Sequence, residues 1–174
     1  MIEERKDLVT LKGKPVTLLG TQIKVGQAVP DFKLADSNFK NVTLSKSKDK
    51  VKLISVTFSL ETPVCDLQTR TFEGAVGKYI NCAGYSVSMD LPFTLDRYAK
   101  EHPIHILKLL TDYQNANFGI DYGLLIKENR LLARAVFIVG MDNRLRYAEY
   151  VKDITLAPDY DRALKALKSA AEEK

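Results

Sequence analysis

The spacing of apolar residues changes several times along the chain, and each change predicts an element. "LVTLKGKPVTLLG" (8–20) holds two short β-rich runs around Lys-Gly-Lys-Pro, a hairpin pattern. "DFKLAD" and "NVTLS" read as a second, shorter pair of strands. "VKLISVTF" (51–58) is almost continuously apolar and β-branched, as a central strand buried on both faces requires. From 62 to 79 the period becomes helical, with Val64, Leu67, Phe72, Ala75, Val76 and Tyr79 as the apolar set. "YSVSMD" (85–90) predicts a strand, "LPFTLDRYAKEH" a helix and "HILKLLTD" another strand. "RLLARAVFIVG" and "LRYAEYV" flank "MDN" as a hairpin does, and "APDYDRALKALKSAAEEK" is an amphipathic C-terminal helix. Strands alternating with helices imply βαβ crossovers, and the closing hairpin adds antiparallel strands. The expectation is an α/β fold with a mixed central sheet flanked by helices. No repeat or linker interrupts it, so residues 1–174 read as one domain.

Composition narrows the class. Apolar residues are 45% of the chain and charged residues 28%, an ordinary globular balance. No apolar run approaches the roughly 18 residues of a membrane span, and "MIEERKDLVTLKGK" has no apolar stretch behind its charges, so the expected compartment is the cytoplasm. The net charge of +4 is mild, and "KSKDKVK" (46–52) reads as a solvated loop entering a strand. Basic stripes interleaved with aromatics are absent, which argues against nucleic acid. Two cysteines, Cys65 and Cys82, do not make a disulfide framework in a reducing compartment.

The chemistry gathers at "SLETPVCDLQTR" (59–70). Thr62 suits a helix N-cap and Pro63 the first helical position, which puts Cys65 in the first turn. Free backbone N–H groups and the positive end of the helix dipole then surround its sulfur and favour thiolate over thiol. The same placement puts the thiol beyond the carboxyl end of a central strand, where open α/β sheets keep their sites. A small buried hydrophobe is the competing role for Cys65. Thr62 occupies the first position of what would be a C-x-x-C, so a dithiol oxidoreductase is excluded. His102 and His105 flank a proline, do not make a zinc pattern with distant cysteines, and read as surface loop residues.

"TPVCDLQTR" (62–70), "SMDLPF" (88–93), "FGIDYGLLIKE" (118–128), "LLARAVFIV" (131–139) and "APDYDRALKAL" (157–167) resemble, nearly end to end, the bacterial thiol peroxidases, the Tpx branch of the peroxiredoxins; "VGQAVPDFKL" (25–34) fits as well. The resemblance implies a thioredoxin-like fold with an N-terminal β-hairpin, a homodimer, and reduction of hydrogen peroxide or alkyl hydroperoxides at a peroxidatic cysteine. It implies an external thiol such as thioredoxin as reductant, and neither metal nor organic cofactor. The family's catalytic threonine, cysteine and arginine fall on Thr62, Cys65 and Arg134. In those roles Cys65 attacks a peroxide oxygen and becomes a sulfenic acid. Thr62 hydrogen-bonds thiolate and peroxide, and Arg134 stabilises the thiolate and the charge on the leaving oxygen.

The chain departs from the family twice. Phe58 stands where the family has a proline that helps enclose the thiol. The usual resolving position on the helix after "DLPF" falls on Ala99. Cys82 is expected just before the strand parallel to 51–58, at the opposite end of the sheet from Cys65. A strand of about six residues spans roughly 20 Å, and a disulfide needs Cα atoms within about 7 Å. One-cysteine behaviour is therefore expected. Two functions stay open: a peroxidase, and a thioredoxin-fold sensing or binding protein that has lost turnover.

Overall fold

In the computed structural model, which describes residues 1–174, the chain opens with an antiparallel hairpin, β1 (Glu4–Leu11) and β2 (Lys14–Leu19). Lys12 and Gly13 both have positive φ, 51° and 77°, the backbone of the tight primed turn that matches strand twist. The short strands β3 (Lys33–Ala35) and β4 (Asn41–Thr43) follow. Next come β5 (Val51–Val56), α1 (Pro63–Val76), β6 (Cys82–Ser88), α2 (Pro92–Glu101) and β7 (Lys108–Thr111). The chain ends with a short α3 (Asn117–Asp121), β8 (Leu125–Ile126), the hairpin β9 (Ala135–Val139) and β10 (Leu145–Tyr150), and α4 (Tyr160–Ala171).

The main sheet has the order β10-β9-β5-β6-β7-β3-β4, and β1-β2-β8 form a second, three-stranded sheet. β5, β6 and β7 run parallel, and β9 runs antiparallel to β5. The sheet is therefore mixed, as expected. β5 lies inside it and is buried at every position, which explains its unbroken apolar run. One face packs on the hairpin layer through Val16, Leu18, Ile54, Val56 and Phe137. The other packs on α1 and α4 through Leu53, Phe72, Val76, Val136 and Leu167.

The elements differ from the sequence expectation at their ends. The helix from Pro63 stops at Val76 rather than 79. β6 begins at Cys82, in register with Val51, rather than at Tyr85. Gly84 is a packing residue: a Cβ there would lie 2.3 Å from Leu107 and 3.1 Å from Val76. Close approach of α1 and the segment before β7 to the sheet demands the glycine, and the strand continues through it. The short α3 and β8 carry too few residues for a legible period.

Candidate active site

Thr62 takes the N-cap position of α1 in extended conformation, Pro63 follows inside the helix, and Cys65 lies in the first turn. Cys65 is a free thiol, wholly enclosed. On one helix face Cys65, Gln68, Thr69 and Phe72 are all buried against the sheet, the i, i+3, i+4, i+7 stripe of an amphipathic helix. The Thr69 hydroxyl donates to the Cys65 carbonyl at 2.9 Å and steadies this first turn.

Arg134 enters from the other side, just before β9. It is only 2% exposed, yet it has no carboxylate partner. Its Nε and Nη2 donate to the Ile154 carbonyl at 3.0 and 2.7 Å, and its Nη1 donates to Gln68 Oε1 at 2.9 Å. Gln68 Nε2 in turn donates to Ser55 Oγ at 2.7 Å. The guanidinium is thus oriented entirely by neutral acceptors. Its charge is not neutralised by a neighbouring carboxylate, and burial of an unpaired cation favours an anion nearby.

A pocket of about 310 Å³ opens above this arrangement, with Phe58, Thr62, Val64 and Arg134 in its wall beside Leu11 and Lys12 of the hairpin. Two of the three residues expected from the sequence, Thr62 and Arg134, line it, while Cys65 is enclosed one residue beyond Val64 and does not reach its wall. The geometry at Thr62 also differs from the expectation. The Thr62 hydroxyl donates to the Ser59 carbonyl at 2.9 Å rather than capping α1 or meeting the sulfur. That bond fixes the loop and leaves the hydroxyl oxygen able to accept.

Gln68 was not singled out in the sequence, although its position three residues after Cys65 puts it on the same helix face. Ile154 could not have been found, because its contribution is a backbone carbonyl. Its loop is tied to the β1–β2 turn by Asp153, whose carboxylate accepts from the Thr10 hydroxyl, Gly13 N and Thr155 N. Those hydrogen bonds hold the Asp153 carboxyl well below the usual range.

His105 is exposed, but His102 is not a surface loop residue. It caps the end of α2, stacks on Tyr98 with ring centroids 4.1 Å apart, and brings Nε2 to 3.4 Å from Asp66 Oδ1. Tyr98 donates to the same carboxylate at 2.6 Å, and Arg70 pairs with it at 2.9 Å. Burial acts to raise the Asp66 carboxyl, but these bonds outweigh it and hold the carboxyl below its ordinary range. The cluster pins α2 to the turn that carries Cys65.

Cys82 opens β6, a strand inside the sheet, at the end opposite Cys65. It pairs with Val51, the first residue of β5, whereas Cys65 follows the last. Five strand steps separate those ends by about 17 Å. Burial pushes the Cys82 thiol up to about 11, against a small opposing effect of Lys50, so it is protonated at neutral pH. Ala99 is exposed on α2.

A free thiol in the first turn of a helix, beyond the end of a parallel strand, is the placement of a redox-active thiol protein. Residues 24–164 match the Redoxin family, and the chain belongs to that family. It is 43% identical to the thiol peroxidase of Halalkalibacterium halodurans, over 93% of this chain and 98% of that one. It is 40% identical to the thiol peroxidase of Bacillus subtilis, over 92% and 96%. Among solved structures, the peroxiredoxin-like protein of Aquifex aeolicus superposes with a TM-score of 0.88 at 32% identity, covering 97% of this chain and 98% of that one. The thiol peroxidase of Chromobacterium violaceum shares the fold, with a TM-score of 0.84 at 22% identity over 92% of this chain and 95% of that one.

Proposed function

We propose that this protein is a thiol-dependent peroxidase in which Cys65 is the peroxidatic nucleophile. The observation that carries the reading is the buried Arg134 guanidinium, held without a carboxylate at the wall of a pocket that the start of α1, the helix carrying Cys65, also lines. The Cys65 thiolate attacks one oxygen of hydrogen peroxide or an alkyl hydroperoxide, an S–O bond forms, and the O–O bond breaks. The departing oxygen leaves as hydroxide or alkoxide and takes up a proton. Arg134 stabilises the negative charge as it moves from sulfur to that oxygen, and Thr62 orients the peroxide by accepting a hydrogen bond from its O–H. Cys65 is left as sulfenic acid. Two external thiols then return it to the thiol, releasing water and their own disulfide.

The reductant is thioredoxin or a protein thiol like it, acting in the cytoplasm. With Ala99 on α2 and Cys82 remote and protonated, the catalytic cycle uses one cysteine. The exposed rings of Phe39 and Phe93, 5.6 Å apart and beside exposed Leu91, support a homodimer that covers them. Peroxide loss from a mixture of reduced protein, cumene hydroperoxide and thioredoxin with its reductase tests the activity. Consumption that requires both protein and reductant is expected. Binding of thioredoxin without consumption would favour the sensing protein instead.

A further inference from the structure

In the whole chain only two buried side-chain polar atoms lack a hydrogen-bond partner, the hydroxyls of Thr57 and Tyr160. Thr57 is completely buried. Valine has nearly the same shape and would avoid leaving a hydroxyl unsatisfied there.

Register shows what this hydroxyl faces. Thr57 N donates to the Val87 carbonyl at 2.9 Å, so the β5 ladder continues past Val56. Side chains alternate along a strand, and Thr57 therefore shares the face of Ser55, which meets Gln68 of α1. α1 connects two parallel strands and runs back along β5. Val51 and Leu53 pack with Phe72 and Val76, and Ser55 with Gln68. One more step of two strand residues, about 6.6 Å, corresponds to about four helical residues at 1.5 Å each. That reaches Val64 and Cys65. Val64 faces the pocket, and Cys65 is the enclosed one.

We propose that the Thr57 hydroxyl is a hydrogen-bond donor to the Cys65 sulfur as thiolate and to the oxygen added to it on oxidation. The proposal rests on the reading of Cys65 as the reacting thiol. In the reduced protein no hydrogen bond joins the two groups, and the hydroxyl is free to turn to a new acceptor. The hydroxyl gains its acceptor when the sulfur becomes charged or carries oxygen, and so favours the two states the reaction passes through.

Thr57→Val and Thr57→Ser test this. Thr57→Val should unfold at the same temperature as the parent or higher, because a buried unsatisfied hydroxyl has gone. It should react with peroxide about tenfold more slowly, the loss of one hydrogen bond to a charged group, and be alkylated by iodoacetamide at pH 7 more slowly by a similar factor. Thr57→Ser should restore both rates. Parent rates in Thr57→Val, or slow rates in Thr57→Ser, would overturn the proposal. Alkylation needs no peroxide chemistry, so a parent protein that consumes no peroxide would sink the peroxidase reading while alkylation still decides the role of Thr57.

Discussion

The Arg134 guanidinium closes on the Ile154 carbonyl with two N–H groups, at 3.0 and 2.7 Å. This forked contact ties the strand entry that carries the cation to the loop anchored, through Asp153, on the N-terminal hairpin. The hairpin thereby helps hold a buried guanidinium far from it in sequence. Arg134→Ala should slow oxidation of Cys65 about a hundredfold, the usual effect of removing one positioned charge-stabilising donor. Arg134→Lys keeps the charge but cannot fork, and an intermediate loss is expected. Stopped-flow oxidation rates measure both, and parent rates in Arg134→Ala would make the residue purely structural.

Cys65→Ser should abolish peroxide consumption, while Cys82→Ser should leave the first oxidation nearly unchanged, because the Cys82 thiol is protonated and at the other end of β5. Intact mass after one equivalent of peroxide, with a sulfenic-acid trap, should show a single adduct on Cys65. A two-hydrogen loss with a Cys65–Cys82 peptide on digestion would contradict the one-cysteine cycle.

Phe58 lines the pocket where the family has proline. Its ring keeps the wall apolar but fills it differently. Phe58→Pro should speed oxidation by peroxide or reduce overoxidation to the sulfinic acid, read from the mass of the protein after excess peroxide. A large loss of activity would mean that the site depends on the ring.

Asp112 introduces a pH dependence away from the site. Burial pushes its carboxyl up to about 6, against the hydrogen bonds it accepts from Gly119 N and Phe118 N. Folding therefore favours the protonated form. This contribution to stability is fully present below about pH 4, the unfolded value, and is lost as pH rises through about 6. A shift of this size is worth on the order of 2–3 kcal/mol. In urea titrations from pH 4 to 8, the parent should lose stability relative to Asp112→Asn across that window. Parallel curves would show that Asp112 ionises as readily in the folded protein as in the unfolded chain.

Local information determined much of this protein. The apolar run of β5, the Thr-Pro helix start, the hairpin turns and the position of Cys65 depend on residues close together in the chain, and periodicity, capping and turn geometry act over that range. Tertiary structure decided the rest. The continuation of β6 through Gly84 follows from the space left by Val76 and Leu107. His102 turned inward because Tyr98 and Asp66 stood beside it. Arg134 carries no local sign of its partners, which are a carbonyl near the C-terminus and a glutamine on α1. Those contacts exist only after the parallel crossover has brought α1 against β5 and the hairpin has anchored the Ile154 loop. A buried charge is oriented by whichever acceptors the folded backbone presents, and these come from segments remote in sequence.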